Sequence, residues 1–128
     1  MEPAVWIDLS ERYAYVASMT PMQLLGTFEQ QVLAAILQVG RDAYPPPVLS
    51  WIEERTGRSV NRGSLYVALD RLEAKGLLRS RPDADDGREG RPRRYLEVTP
   101  DGLAALREAR ASLMASWNGL ESLLEDPS

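Results

Sequence analysis

The sequence predicts a mainly α-helical chain with one small β-hairpin, an α+β fold class. Between residues 27 and 75, apolar side chains recur at spacings of three and four along three segments, as on one face of a helix. Two short apolar-containing segments, 77–81 and 94–98, flank a stretch rich in Gly, Asp and Arg, which is typical of a hairpin with a long polar tip. A last helical pattern starts at residue 100.

The first two predicted helices are separated by three consecutive prolines. Thr27 and Gln30 have the spacing of a capping box, so the first helix is predicted to begin at Thr27 and to end at Gly40. Proline is excluded from helix interiors because it lacks a backbone N–H and its ring clashes with the preceding turn. Residues 45–47 are therefore predicted to form a stiff connector, and the second helix is predicted over residues 47–55.

The third predicted helix, residues 62–75, has the clearest pattern. Asn61 is a good N-cap, one apolar stripe continues along the helix, and Gly76 supplies the left-handed stop. A short turn joins this helix to the second one, and the hairpin follows it. This order of elements predicts a winged helix-turn-helix in which residues 62–75 are the recognition helix.

The last predicted helix begins after Thr99 as its cap, with Pro100 at its first position. It is predicted to reach residue 125, with Asn118 and Gly119 as the place where it is interrupted. Because a helix of this length exceeds what a small core can cover, its second half is predicted to contact a partner chain. The predicted dimerisation residues, which we call the C-terminal seam, are Leu106, Leu113, Trp117, Leu120 and Leu124.

Trp117 has two interpretations. A large flat ring on a dimer seam usually serves packing, and this is the interpretation we favour. The alternative is that the ring forms one wall of a pocket for an aromatic effector. A second copy of the chain and a small aromatic molecule are therefore both candidate partners.

The net charge of the chain hides an uneven distribution. The formal net charge is −4 and the pI is near 4.9, which alone argues against nucleic acid as a partner. Residues 55–94, however, contain eleven basic and six acidic side chains, a local charge of +5, and the rest of the chain has −9. We therefore divide the chain into an extension of unknown role (1–20), a winged helix-turn-helix DNA-binding domain (21–98) and a C-terminal dimerisation helix (99–128).

The candidate contacts to double-stranded DNA lie on the outward face of the third helix and in the hairpin. Arg62 can read guanine in the major groove, and Ser64 and Tyr66 can donate hydrogen bonds to phosphate oxygens. A basic hairpin tip can lie along the adjacent DNA backbone or minor groove. The predicted DNA-binding residues are Asn61, Arg62, Gly63, Ser64, Tyr66, Arg71, Arg88, Arg91, Arg93 and Arg94.

Both surfaces also have an ordinary interpretation, because a solvated amphipathic helix and a solvated loop expose polar residues too. Acidic side chains argue against DNA contact: Asp70 on the outward helix face, and Asp83, Asp85, Asp86 and Glu89 in the hairpin tip. The alternative function is a winged-helix protein–protein interaction module that does not bind DNA.

The absence of Cys and His from the sequence removes thiolate and imidazole chemistry. An enzyme is therefore disfavoured, no cofactor or metal is predicted, and the acids of the hairpin tip lack the spacing of a calcium loop. The longest strongly apolar run, residues 32–37, is far shorter than the ~20 residues that span a bilayer. The chain is thus predicted to be soluble and cytoplasmic, with no membrane partner.

Residues 25–102 resemble the PadR family of bacterial transcriptional regulators. The matching stretches are LGTFE (25–29), VL (32–33), DAY (42–44), EERTG (53–57), RGSLY (62–66), LDRLE (69–73), KGL (75–77), GRPRRY (90–95) and TPDG (99–102). The resemblance implies a homodimeric winged-helix repressor that dimerises through its C-terminal helix, binds an inverted-repeat operator and is often released by a small aromatic effector. By this resemblance Tyr66 is the tyrosine of the recognition helix, and residues 90–95 are the wing motif.

The sequence departs from the family pattern in two places. Three prolines, residues 45–47, stand where the family usually has Gly after Ala-Tyr, so the entry to the second helix must differ locally. Leu96 stands where a second wing tyrosine is common.

Overall fold

A computed structural model describes residues 25–82 and 93–125. The elements in these ranges are α1 (Thr27–Val39), α2 (Pro45–Thr56), α3 (Arg62–Ala74), β1 (Leu78–Pro82), β2 (Arg94–Val98), α4 (Pro100–Trp117) and α5 (Glu121–Leu124). This order confirms the predicted α+β class and its sequence of helices and hairpin. The extension predicted for residues 1–20 and the tip of the hairpin lie outside the described residues.

The N-terminus of α1 differs by one residue from the prediction. Gly26, not Thr27, is the N-cap, and its N–H donates to Glu29 Oε1 at 3.0 Å. The Gln30 side chain does not serve the cap but donates to the Leu25 carbonyl at 3.3 Å. The capping box of Thr27 and Gln30 is therefore wrong, because a carboxylate at the third helical position is a better acceptor for the capping N–H than an amide.

The second helix also begins earlier than predicted. Tyr44 is its N-cap in an extended conformation, and Pro45 is already helical and buried. The first backbone hydrogen bond runs from the Val48 N–H to the Tyr44 carbonyl at 3.3 Å. The N–H groups of a first turn have no acceptor inside the helix, so three prolines there sacrifice no hydrogen bond. The connector predicted at residues 45–47 is thus the first turn of α2.

One hydrophobic core joins all the larger elements. Helix α1 packs against α2, α3, α4 and β2 and so lies at the centre of the domain. Burying a Leu or Ile side chain stabilises a fold by about 1.5–3 kcal/mol. The largest fully buried side chains come from α1, α2, α3 and the turn before β1: Val32, Leu33, Val48, Ile52, Leu65, Leu69, Leu72 and Leu77.

The hairpin has two faces of different character. Its antiparallel register places Arg81 opposite Tyr95 and Arg79 opposite Glu97. Successive strand residues point to opposite faces, so these four share the outer face. The inner face carries Leu78, Ser80, Arg94 and Leu96, with Leu78 and Leu96 in the core. The Leu96 N–H also donates to the Ala43 carbonyl at 2.9 Å, which attaches β2 to the segment between α1 and α2.

Hydrogen bonds of Thr99 attach the N-terminus of α4 to the turn before β1. The Thr99 hydroxyl donates to the Gly76 carbonyl at 2.8 Å and accepts from the Gly102 N–H at 3.0 Å, as a helix cap. The Thr99 N–H donates to the Leu77 carbonyl at 3.1 Å. The helix ends at Trp117, and Gly119 has a φ of 93°, so the interruption predicted at this point is confirmed.

We predict that Gly102→Ala destabilises the protein by about 1–3 kcal/mol, as overpacked cores do. An added Cβ would lie 2.1 Å from the Leu77 carbonyl oxygen and 2.8 Å from Val98 Cγ1. The helix propensity of Ala, better than that of Gly by about 1 kcal/mol, is too small to offset this clash. Urea unfolding measures the change. Ala104→Ser, which adds one atom at an exposed site of the same helix, should change stability by about 0.5 kcal/mol or less; equal losses in both variants would contradict the clash.

Candidate nucleic-acid interface

The exposed side of α3 carries every residue that the sequence assigns to DNA contact on this helix. Leu65, Leu69 and Leu72 are buried against the core and fix the rotation of the helix about its axis. The Asn61 side chain accepts from the Ser64 N–H at 3.2 Å, so the predicted N-cap is confirmed. The exposed residues around it are Asn61, Arg62, Gly63, Ser64, Tyr66, Val67, Asp70 and Arg71.

An ion pair between a partly buried lysine and a buried carboxylate fixes α3 against α1. The Lys75 ammonium donates to both oxygens of Glu29, at 2.8 and 3.0 Å, and Glu29 is only 8% exposed. Glu29 also receives the capping N–H of Gly26, so one carboxylate joins the start of α1 to the end of α3. Between the two helices lies an open groove of about 1080 Å³, lined in part by Gly63, Ser64 and Arg71. The exposed side of α3 is therefore continuous with the first turn of α1.

Arg94 occupies the inner face of the hairpin, against α3. Its guanidinium donates to Glu73 Oε1 at 2.9 Å and to Asp70 Oδ1 at 3.2 Å. The Ser80 hydroxyl donates to the other oxygen of Glu73. This network joins the hairpin to α3, and it gives Asp70 a cationic partner. Asp70, which on sequence grounds opposes DNA binding, thus shares one cationic partner with Glu73.

The outer face of the hairpin carries a stack of aromatic and cationic groups. The Arg81 guanidinium lies over the Tyr95 ring at 4.7 Å from its centroid, and the Arg93 guanidinium lies over the Tyr44 ring at 4.6 Å. The two rings meet edge to face, with centroids 6.1 Å apart and planes at 71°. Arg93 is one of the predicted DNA-binding residues, whereas Arg81, Tyr44 and Tyr95 are not among them. The two-residue alternation of β2, which separates Arg93 and Tyr95 from Arg94, was the available signal.

The C-terminal seam is only partly covered by the rest of the domain. Leu106 packs against the core, while Leu113, Trp117 and Leu124 are 45%, 53% and 63% exposed. Between α1 and α4 lies an apolar groove of about 520 Å³, whose lining includes Ala34, Leu106 and Leu113. An apolar row of this kind, left in water along a helix, is typical of a surface that meets another molecule.

The predicted wing contacts Arg88 and Arg91 lie outside residues 25–82 and 93–125. Within those ranges, His, Cys, Asp and Glu form no cluster of three or more able to hold a metal ion. No helix in the same ranges combines the length and apolarity needed to cross a membrane.

The fold and the exposed basic face define a winged helix-turn-helix domain. Residues 32–108 match the transcriptional regulator PadR-like family, and the chain belongs to this family. The family consists of transcriptional regulators and not of enzymes, which agrees with the prediction from the absence of Cys and His.

Individual relatives support the same assignment. The chain is 45% identical over 67 residues to transcriptional regulator Rv3488 of Mycobacterium tuberculosis; the match covers 50% of this chain and 60% of that protein. A PadR-like regulator of Bacillus cereus has a similar structure, with a TM-score of 0.63, 26% identity, and 81% of this chain and 98% of that chain covered. A PadR family regulator of Eggerthella lenta gives a TM-score of 0.59 and 28% identity, over 90% of this chain and 97% of that one.

We predict that Arg94→Ala lowers stability by about 1–2 kcal/mol, because Glu73 and Asp70 lose their charged donor where the Arg94 side chain is only 27% exposed. Arg79→Ala is the matched control on the same hairpin. Arg79 and Glu97 are 61% and 66% exposed, and such a pair contributes about 0–1 kcal/mol. Urea unfolding of both variants measures the difference; an Arg94 variant no less stable than the Arg79 variant would show that the network does not hold the hairpin.

Proposed function

We propose that this protein is a sequence-specific regulator of transcription that binds double-stranded DNA as a homodimer and acts as a repressor at an inverted-repeat operator. The observation that carries this proposal is the placement of the exposed N-terminal half of α3 and the basic hairpin on one connected surface, held by Glu29–Lys75 and Arg94–Glu73 ion pairs. Its site of action would be chromosomal DNA in the cytoplasm.

Each residue of the proposed interface has a chemical role. Arg62 reads guanine through its forked guanidinium, and Gly63 allows close approach to the DNA backbone. Ser64 and Tyr66 donate hydrogen bonds to phosphate oxygens, and Arg71 binds the backbone by charge. Asn61 keeps the N-terminus of α3 in place. The proposed DNA contacts of the wing are Arg88, Arg91, Arg93 and Arg94. Arg94 would contact DNA while it keeps its ion pair with Glu73 of α3.

The C-terminal seam is the proposed dimer interface. Its exposed leucines and Trp117 would be removed from water by a second copy, which supplies the hydrophobic driving force. A two-fold dimer presents two α3 helices to successive major grooves, about 34 Å apart along the DNA, so it selects inverted repeats. If an aromatic effector releases the repressor, Trp117 is the ring we propose that it contacts.

The first experiment is footprinting on the DNA upstream of the protein's own gene, followed by affinity measurements at several salt concentrations. Arg71→Ala should make the log–log dependence of affinity on salt shallower by about 1, because one phosphate contact is lost. Arg62→Ala should lower specific affinity by about 1–3 kcal/mol and relax the choice of one base. Arg107→Ala, on α4 in the groove against α1, is the charge-matched control and should leave the slope unchanged.

Binding without salt dependence would contradict the proposed DNA interface. Absence of any protected DNA, together with a co-purifying protein, would favour the alternative of a protein–protein interaction module.

We predict that replacing Leu113 and Trp117 by Gln yields monomers. Two exposed apolar side chains of the seam become polar, so a second copy gains little by covering them. Operator affinity should then fall by about a hundredfold or more, because the two half-sites no longer bind as one unit. Light scattering measures the molecular mass. Ala111→Gln, on the opposite side of α4, should leave the dimer intact; a dimer that persists in the Leu113 and Trp117 variant would refute this seam.

A further inference from the structure

Val67 is an exposed apolar side chain on the helix that carries the candidate DNA contacts. It is 50% exposed, whereas Leu65 and Leu69, two residues before and after it on α3, are fully buried. Within the described residues, most other large apolar side chains that stay exposed belong to α4 and the segment that follows it. The exceptions are Leu37 at 44% and Tyr66 at 38%. Val67 is thus the most exposed large apolar side chain outside the C-terminal helices.

The stability of α3 does not require a valine at this position. Half of the side chain stays in water, so it contributes little to the core. Valine is also a weaker helix former than alanine, because its branched Cβ loses rotamer freedom against the preceding turn. An exposed helix position is better served by alanine or by a long polar side chain. Contact with another molecule is therefore the explanation that we pursue for Val67.

The neighbours of Val67 place it within the proposed DNA interface. Gly63 and Arg71 stand four residues before and after it, so the three residues lie along one row of the helix surface. Val67 also lines the open groove between α1 and α3 together with Gly63, Ser64 and Arg71. Gly63 has no side chain, and Arg71 carries a positive charge. DNA that approaches Gly63 and binds Arg71 would therefore come against the methyl groups of Val67.

The chemistry of a valine side chain selects one group of the major groove. Valine has neither a donor nor an acceptor, so it makes no hydrogen bond to a base edge. The C5-methyl group of thymine is the apolar group that an unmodified base pair presents in the major groove, and apolar side chains contact it there. Contact between the two removes apolar surface of both from water. Thymine is thus the base that matches Val67.

We propose that Val67 is a specificity-determining residue that contacts the C5-methyl group of one thymine in each half-site of the operator. This inference rests on the proposed DNA-binding function and deepens it, because it names a second base that α3 reads beside the guanine proposed for Arg62. The two readings differ in kind: Arg62 selects by hydrogen bonds, and Val67 selects by an apolar contact.

The test uses the full-length protein and the DNA that it protects upstream of its own gene. Duplexes are made in which one thymine at a time is replaced by deoxyuridine, which lacks only the C5-methyl group. Wild-type protein should bind about fourfold more weakly when the contacted thymine of one half-site is replaced, the loss expected for one methyl group that is no longer buried. Titration of labelled duplexes at constant salt measures the affinity.

Val67→Ala tests whether Val67 is the residue that detects the methyl group. This variant should bind the thymine and deoxyuridine duplexes with nearly equal affinity, because the valine methyl groups that cover the base are removed. Val67 is exposed and alanine is the better helix former, so urea unfolding should show no loss of stability. Leu37→Ala is the matched control. It shortens an apolar side chain that is 44% exposed on α1, and it should keep the wild-type response to deoxyuridine.

The failure of the thymine contact can be distinguished from failure of the proposed function. Three results would overturn the contact while the DNA-binding function stands: protected half-sites without thymine, wild-type protein that responds to none of the replacements, and a Val67→Ala variant that responds as strongly as wild type. Wild-type protein that binds neither the DNA of its own gene nor a mixed-sequence duplex at low salt would refute both.

Discussion

One backbone hydrogen bond, from the Leu96 N–H to the Ala43 carbonyl, determines how the hairpin sits on the helices. Both residues are buried, so breaking the bond would leave a donor and an acceptor without water, at a cost of about 1–3 kcal/mol each. Because strand residues alternate between two faces, fixing Leu96 inward also directs Arg94 inward and Tyr95 outward. The ion pair between Arg94 and Glu73 and the ring contact between Tyr44 and Tyr95 are both consistent with this single constraint.

The pairing of charges explains how an acidic chain keeps a basic surface. Glu29 is bound by Lys75, Glu73 by Arg94, and Glu97 by Arg79. These carboxylates join neighbouring elements, each beside one cation: the Glu29 and Glu73 pairs lie against the helices, and the Glu97 pair lies on the surface. Arg62 and Arg71, which lie exposed on α3, then determine the local potential. The net charge of −4 is thus a poor guide to the partner, because the potential that a ligand meets depends on which charges are paired.

The sequence was most informative where the structure depends on local interactions. Asn61, the apolar stripe and Gly76 define α3 through contacts within a few residues, and this helix was predicted nearly to its last residue. The cap of α1 lies at Gly26, one residue before the predicted one, and its acceptor Glu29 also binds Lys75 across the fold. The contact between Tyr44 and Tyr95 could not be predicted, because it depends on the hydrogen bond between Leu96 and Ala43, which are far apart in sequence.

The central position of α1 connects the two surfaces that the proposed function requires. On one side, Glu29 binds Lys75 at the end of α3, so an ion pair joins α1 to the helix of the candidate DNA interface. On another side, Ala34 of the same helix faces α4 across the apolar groove that continues toward the C-terminal seam. Packed interiors transmit displacement because they have little free volume. A contiguous series of packed elements therefore connects the C-terminal seam to α3 through α1.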